Sequence, residues 1–250
     1  MAGDNVWIVG ASHGIGKALA LELAGRGHRV IVSARNEEAL HALCTTLEGM
    51  NAQEPMVQPV DVCDRATIIQ ARDNIMRNVR HIHRVIFMAG LYHPMSLDML
   101  DIEETERILS CNLLGAFYVI EAILPLMLKQ GMGQIALCSS VAGYRGLPKA
   151  QPYGASKAGL INLAESLYVE HGRTIDIKLI NPGFVKTRLT DKNDFAMPMR
   201  ISPEQAAHTI ANGLESTSFE IHFPKTFSYG MKFLRIIPHA LYRRLTMGRL

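Results

Sequence analysis

Tyr153 and Lys157 stand four residues apart at the start of a strongly patterned segment, YGASKAGLINLAESLYVE (153–170). On an α-helix such a pair shares one face at about 6 Å, so the phenol and the ammonium can act together. An ammonium beside a phenol favours the phenolate and draws the tyrosine pKa down from about 10. A tyrosine tuned in this way can give or take a proton near neutral pH. The same spacing also fits an ordinary amphipathic helix whose first turn happens to carry both residues, and the rest of the chain decides between the two.

A second spacing with chemical content lies near the N-terminus, where GASHGIGKALALELAGRG follows the apolar run NVWIVG (5–10). Gly10, Gly14 and Gly16 permit a tight turn, close approach of backbone to a pyrophosphate, and close packing of the next helix on the sheet. That helix start offers N–H groups and a positive dipole end to phosphate. Strand, glycine turn and amphipathic helix in this order point to a dinucleotide. An acidic residue at the end of the second strand would bind ribose hydroxyls and repel a 2′-phosphate. Here RVIVSA (29–34) runs into Arg35, whose guanidinium pairs well with phosphate, and His13 adds a second donor. These residues predict NADP(H) in preference to NAD(H). The alternative for Arg35 is a solvated surface arginine.

The elements that must position these groups alternate regularly. Strands are predicted at 5–10, 29–34, 55–62, 84–90, 133–140 and 175–183, several of them apolar on both faces, as in a parallel sheet covered by helices. Helices are predicted at 14–25, 36–48, 64–79, 101–129 and 153–171, with a late one at 202–216 capped by Ser202 and carrying Pro203 in its first turn. This β-α-β-α rhythm predicts an α/β fold: a single doubly wound, Rossmann-like domain over 1–220, its parallel sheet flanked by helices on both faces, with 221–250 as a C-terminal extension. A length of 250 residues suits one large core, and 48% apolar with 20% charged residues is an ordinary soluble composition. The net charge of +3 does not call for nucleic acid. Cys44, Cys63, Cys111 and Cys138 form no C-x-x-C pair, which argues against zinc and a disulfide framework and fits a reducing cytoplasm. The N-terminus shows no signal-peptide pattern. The uncharged, strongly apolar stretch Ile108 to Ile120 is shorter than the roughly 20 residues of a membrane span.

With G-x-x-x-G-x-G, Y-x-x-x-K and NPGFVKT in this order, the chain resembles the short-chain dehydrogenase/reductase family over roughly residues 4 to 216. The resemblance implies that Tyr153 is the proton donor, Lys157 its pKa-lowering and ribose-binding partner, Ser140 the holder of the substrate oxygen, and Asn112 the support of a water in the proton relay. Ser139 is the near miss, expected to face the other way. Asp61 with Val62 would contact the adenine, and Thr187 the carboxamide. Ser12, Ile15, Ala89, Gly90, Pro182, Gly183 and Val185 complete the implied cofactor contacts. Val9 and the pair Phe87–Met88 replace residues usual in the family, which implies altered bracing of the sheet and not lost chemistry. The implied activity is interconversion of a carbonyl and an alcohol by hydride transfer. A homodimer or homotetramer would form through the helices at 101–129 and 153–171.

Two other functions stay open in the sequence. One is a catalytically idle NADP(H) sensor or scaffold, which the intact Asn112, Ser140, Tyr153 and Lys157 set opposes; the other is an isomerase or dehydratase on the same fold. His81 and His83 read as a surface turn and not a metal pair, and no metal is expected. Met and Phe of FAMPMR (195–200) fall where the family places a substrate-covering segment and would suit a bulky apolar substrate, although methionine also serves as packing filler. From Ile221 to Leu250 there is no acidic residue, and Lys225, Lys232, Arg235, Arg243, Arg244 and Arg249 give a local +6 against +3 for the whole chain. Large apolar residues interleave with them. This pattern suits peripheral contact of residues 225–250 with an anionic membrane surface, or packing over the substrate cleft or a partner subunit.

Overall fold

All six apolar runs enter one sheet. In the computed structural model, which describes residues 3–50, 53–192 and 197–247, they are β1 (Asn5–Val9), β2 (Arg29–Ser33), β3 (Met56–Val57), β4 (Arg84–Phe87), β5 (Gln134–Cys138) and β6 (Asp176–Pro182). A seventh strand, β7 (Glu220–Phe223), completes the order β3-β2-β1-β4-β5-β6-β7, with every pairing parallel. The helices are α1 (Gly14–Gly25), α2 (Glu37–Glu48), α3 (Arg65–Asn78), α4 (Ile102–Leu109), α5 (Gly115–Gln130), α6 (Tyr153–His171), α7 (Pro203–Leu214), α8 (Lys225–Ile236) and α9 (His239–Met247). Side chains of α1, α2 and α7 close one face of the sheet, and those of α3, α5 and α6 the other. This is a single Rossmann-like, doubly wound domain.

β3 keeps only two residues of the predicted 55–62; in the irregular continuation the Gln58 and Val60 amides still donate to the Val32 and Ala34 carbonyls, at 3.0 and 3.1 Å. The predicted helix 101–129 is interrupted by a π-helical turn, Ser110–Leu114, between α4 and α5. Ile102–Gln130 is long and apolar enough to cross a membrane by composition, yet half of its most apolar window is buried inside the protein. The capping of α7 matches the sequence: Ser202 accepts from the Gln205 amide, Gln205 returns the bond, and Pro203 opens the helix. His83 accepts the Asn5 amide at 2.9 Å, and His81 lies 3.3 Å from Gln130, so both histidines have protein partners.

β1 and β4 lie side by side while the chain winds away from them in opposite directions, which opens a crevice at their carboxyl ends. Gly10 follows β1 there with φ +102°, and a Cβ on it would come 2.5 Å from the Ala89 amide nitrogen. A Cβ on Gly16 would come 2.1 Å from the Gly10 carbonyl oxygen. Only glycine lets the turn close against β4 and α1 start where it does.

The boundary drawn after residue 220 falls inside β7, so Ile221–Phe223 belong to the sheet and not to an extension. The strand escaped sequence reading because it is short and opens on Glu220. That carboxylate is paired: it accepts from Tyr144 and, at 2.7 Å, from Asn181, and meets Lys232 of α8 at 2.5 Å. α8 continues the body, with Met231 buried in the core shared by α5 and α6. Met231→Ala should therefore lower unfolding free energy by about 2–5 kcal/mol in urea denaturation, whereas a detached tail would leave stability unchanged.

Candidate functional site

The crevice forms an open cleft at the carboxyl ends of the strands. Gly10, His13, Gly14, Ile15 and Gly16 form one wall. Gly90, Ser140, Tyr153 and Lys157 form the floor, and Pro182, Gly183, Val185 and Thr187 the far side. The structure thus brings together most of the residues singled out in the sequence. α1 carries no acidic residue in its first turn and no side chain caps it, so its amide end faces the cleft uncompensated. These are the features a dinucleotide pyrophosphate needs.

The floor is held by a buried polar cluster. Asn112 lies in the π-helical turn, fully buried. Its Oδ1 accepts the Leu91 amide at 2.6 Å, and its Nδ2 donates to the Leu91 carbonyl at 2.9 Å and to Ser156 Oγ at 3.0 Å. Ser156 Oγ donates in turn to the Tyr153 carbonyl at 2.7 Å. Asn112 therefore joins the loop after β4 to the first turn of α6. Gly90 leaves room beside it: a Cβ there would lie 3.5 Å from Lys157 Nζ and 3.7 Å from Asn112 Oδ1.

Tyr153 and Lys157 share one face of α6, with Nζ 5.5 Å from the centroid of the phenol ring. Lys157 donates to the Cys138 carbonyl at 2.8 Å. The Tyr153 phenol is displaced upward and not downward: the protein packed around it disfavours phenolate more than the Ser140 hydroxyl, hydrogen-bonded to it, favours that form. Burial likewise holds Lys157 below the ordinary lysine range. The helical spacing delivers the proximity expected from the sequence, while burial reverses the expected direction for the tyrosine. Ser139 points elsewhere, donating to the Lys157 carbonyl at 2.7 Å.

Six of the singled-out residues sit outside the cleft lining. Asn112 is one layer behind it. Ala89 backs the glycine turn, and Ser12 lies 3.0 Å from the His13 ring. Asp61 folds its own loop by accepting the Cys63 amide at 3.0 Å, and Val62 packs against Gly115, where a Cβ would approach the Val62 carbonyl to 2.9 Å. Arg35 is exposed after β2, close enough to the 61–63 loop for its charge to favour the Cys63 thiolate. Sequence reasoning missed Arg188, which lines the cleft and, with Lys17, opposes protonation of His13 after burial has already done so. Its available signal was its position directly after Thr187. Met88, noted in the sequence only as a departure, also lines the cleft. Phe195 lies outside the described residues, and Met199 is exposed.

The buried lysine has a thermodynamic consequence. A native pKa below the unfolded one means that the charged form costs stability at pH values under the native pKa, and that this cost fades as pH rises toward the ordinary lysine value. Lys157→Met should therefore stabilise the cofactor-free protein at neutral pH in urea denaturation, with the gain shrinking as pH approaches about 10. A loss at neutral pH, or a gain that grows with pH, would contradict the burial account.

The pattern of the short chain dehydrogenase family matches residues 4–197. An uncharacterized oxidoreductase of Myxococcus xanthus is 32% identical over 238 residues, covering 94% of this chain and 93% of its own. The 17-beta-hydroxysteroid dehydrogenase 13 of Rattus norvegicus is 29% identical, covering 98% and 83%. Among solved structures, a short-chain dehydrogenase from Sphingobium yanoikuyae in complex with NADPH superposes with a TM-score of 0.82 at 22% identity, covering 99% of this chain and 96% of that one. The glycine turn, the paired Tyr153 and Lys157, and these likenesses make the chain a member of the short-chain dehydrogenase family, an oxidoreductase acting between CH–OH and C=O.

Proposed function

We propose that the protein is an NADP(H)-dependent carbonyl reductase or alcohol dehydrogenase, with Asn112, Ser140, Tyr153 and Lys157 as its catalytic set. The observation that carries this reading is Tyr153 and Lys157 one helical turn apart on α6, lining a glycine-walled cleft together with Ser140. The dinucleotide, when bound, supplies the hydride exchanged with the carbonyl carbon. Ser140 and Tyr153 hold the carbonyl oxygen, and Tyr153 gives it a proton during reduction. Lys157 brings positive charge to the resulting phenolate, and its Nζ can also meet a ribose hydroxyl. Asn112 keeps the Leu91 loop and the first turn of α6 in register, so the proton donor does not drift. Acid–base placement of this kind contributes about 10²–10⁴-fold. The four groups converging at one site favour an enzyme over an idle sensor or scaffold.

NADP(H) is assigned over NAD(H) because the end of β2 offers Arg35 and no carboxylate, while Lys17 and Arg188 add positive charge at the glycine turn, where His13 stands as a neutral ring. Asp61 and Val62 would border the adenine, and Thr187 the carboxamide. The lining side chains Met88, Leu189 and Ile15 favour a bulky, apolar or lipid-like substrate. Exposed Phe117 and Leu128 on α5, with Tyr168 and Val169 on α6, support a homodimer or homotetramer through these helices. A cytoplasmic location, with peripheral contact to a membrane surface, fits the free thiols and the basic tail.

Tyr153→Phe should abolish NADPH consumption with aldehydes, ketones and quinones while leaving NADPH affinity nearly unchanged in fluorescence titration. Wild-type turnover by this variant would overturn the assignment. Arg35→Asp should shift the NADPH to NADH ratio of KM by at least roughly tenfold, since a charge-assisted contact worth about 1.5–3 kcal/mol is lost. An unchanged ratio would make Arg35 a surface residue without a cofactor role.

A further inference from the structure

The two C-terminal helices present two different faces. The inner face of α8 buries Ser228 and Met231, and Phe227 packs against Phe184 with ring centroids 5.2 Å apart. A Cβ on Gly183, in the cleft lining, would come 2.9 Å from the Phe227 ring. Arg145 closes the far end of α8, donating to the carbonyls of Leu234, Arg235 and, at 2.7 Å, Ile237. Its guanidinium lies 4.0 Å from the centroid of the Tyr242 ring, and Tyr242 donates to the Gly146 carbonyl. Both helices are thus anchored to the loops that follow β5 and β6, at the rim of the cleft.

The outer face is far more open, although Tyr229 meets the His222 ring edge-on with centroids 4.9 Å apart. Tyr229, Phe233 and Ile236 fall at i, i+4 and i+7 on α8 and are 59%, 60% and 77% exposed. Leu241 and Leu245 repeat the i, i+4 pattern on α9 at 47% and 49% exposure. Isolated exposed apolar residues are ordinary, but five large ones in regular spacing on two successive helices are not scattered singly. Exposed Lys225, Arg235 and Arg244 border it, and no acidic residue occurs between Ile221 and Leu250. A protein partner could match the apolar residues alone; a surface that takes both the apolar stripes and the basic residues on the same two helices is an anionic lipid interface, where such a helix pair lies in the headgroup plane.

We propose that α8 and α9 form an interfacial docking element that seats the rim of the cleft on an anionic lipid surface. The contact itself is independent of the catalytic assignment; only its use, delivering an apolar carbonyl from the lipid to the cleft, rests on that reading.

The test uses the full-length protein with vesicles of phosphatidylcholine, with and without phosphatidylserine, in co-sedimentation at low and high salt. Binding is expected to the phosphatidylserine vesicles at low salt, with little to phosphatidylcholine alone. Each basic residue at such a surface tightens binding about fivefold, so Arg235→Gln with Arg244→Gln should weaken partition about 25-fold. Phe233→Glu with Ile236→Glu should remove binding, while circular dichroism melting and NADPH consumption on a soluble carbonyl stay at wild-type values. Absence of vesicle binding by the wild type, or equal binding by wild type and the glutamate variant, would overturn the proposal. So would light scattering in which the glutamate variant loses an oligomer that the wild type forms without binding vesicles, because the face would then be a subunit contact. Turnover of the soluble carbonyl is read separately, so failure of docking and failure of the catalytic assignment are distinguishable.

Discussion

The site depends on one buried amide. Asn112 satisfies the Leu91 amide and carbonyl and the Ser156 hydroxyl at once, and Ser156 holds the carbonyl of Tyr153. A buried polar network fixes geometry only when each member is bonded, because an orphaned group costs more than the bond it lost was worth. The π-helical turn exists where this amide must reach two neighbours, since the extra residue rotates Asn112 off the regular helix surface. Through it the loop after β4, the bulge between α4 and α5, and the first turn of α6 move as one piece.

The sheet supplies the second constraint. Seven parallel strands place their carboxyl ends on one rim, so Gly10, Gly90, Ser140 and Gly183, far apart in sequence, meet at one cleft. Burial then works against charge there. It raises the Tyr153 phenol and lowers Lys157, leaving both groups leaning toward their neutral forms, with the lysine held on the Cys138 carbonyl. A pair poised in this way responds strongly to any ligand that brings charge or new hydrogen-bond partners into the cleft.

Much of this was legible in the sequence because the chemistry requires both residue type and spacing. The glycine turn and Tyr153 with Lys157 could be placed from linear pattern, and Ser140, just after β5, through the family resemblance. The π-helical turn could not, because Ser110–Leu114 keeps the apolar character of the helices on either side. β7 was hidden for a different reason: Glu220 opens it, and only the fold shows that Tyr144, Asn181 and Lys232 neutralise that carboxylate. The sequence pointed the Tyr153 displacement the other way because helical spacing reports proximity, whereas burial is a property of the folded site. The tail pattern was visible as composition, and the structure divided it into a strand, an inner face that packs and an outer face that does not.

The most direct measurement of the central claim, that Tyr153 is the acid–base group of a dinucleotide cleft, is an ultraviolet difference titration of tyrosinate with and without saturating NADP+, with Tyr153→Phe subtracted. The account predicts that the residue assigned by subtraction ionises above the ordinary tyrosine value of about 10 in the free protein. With the cationic nicotinamide bound it should ionise below that value, as positive charge accumulates beside the phenol. An identical titration in both conditions, or a difference that survives in Tyr153→Phe, would contradict it.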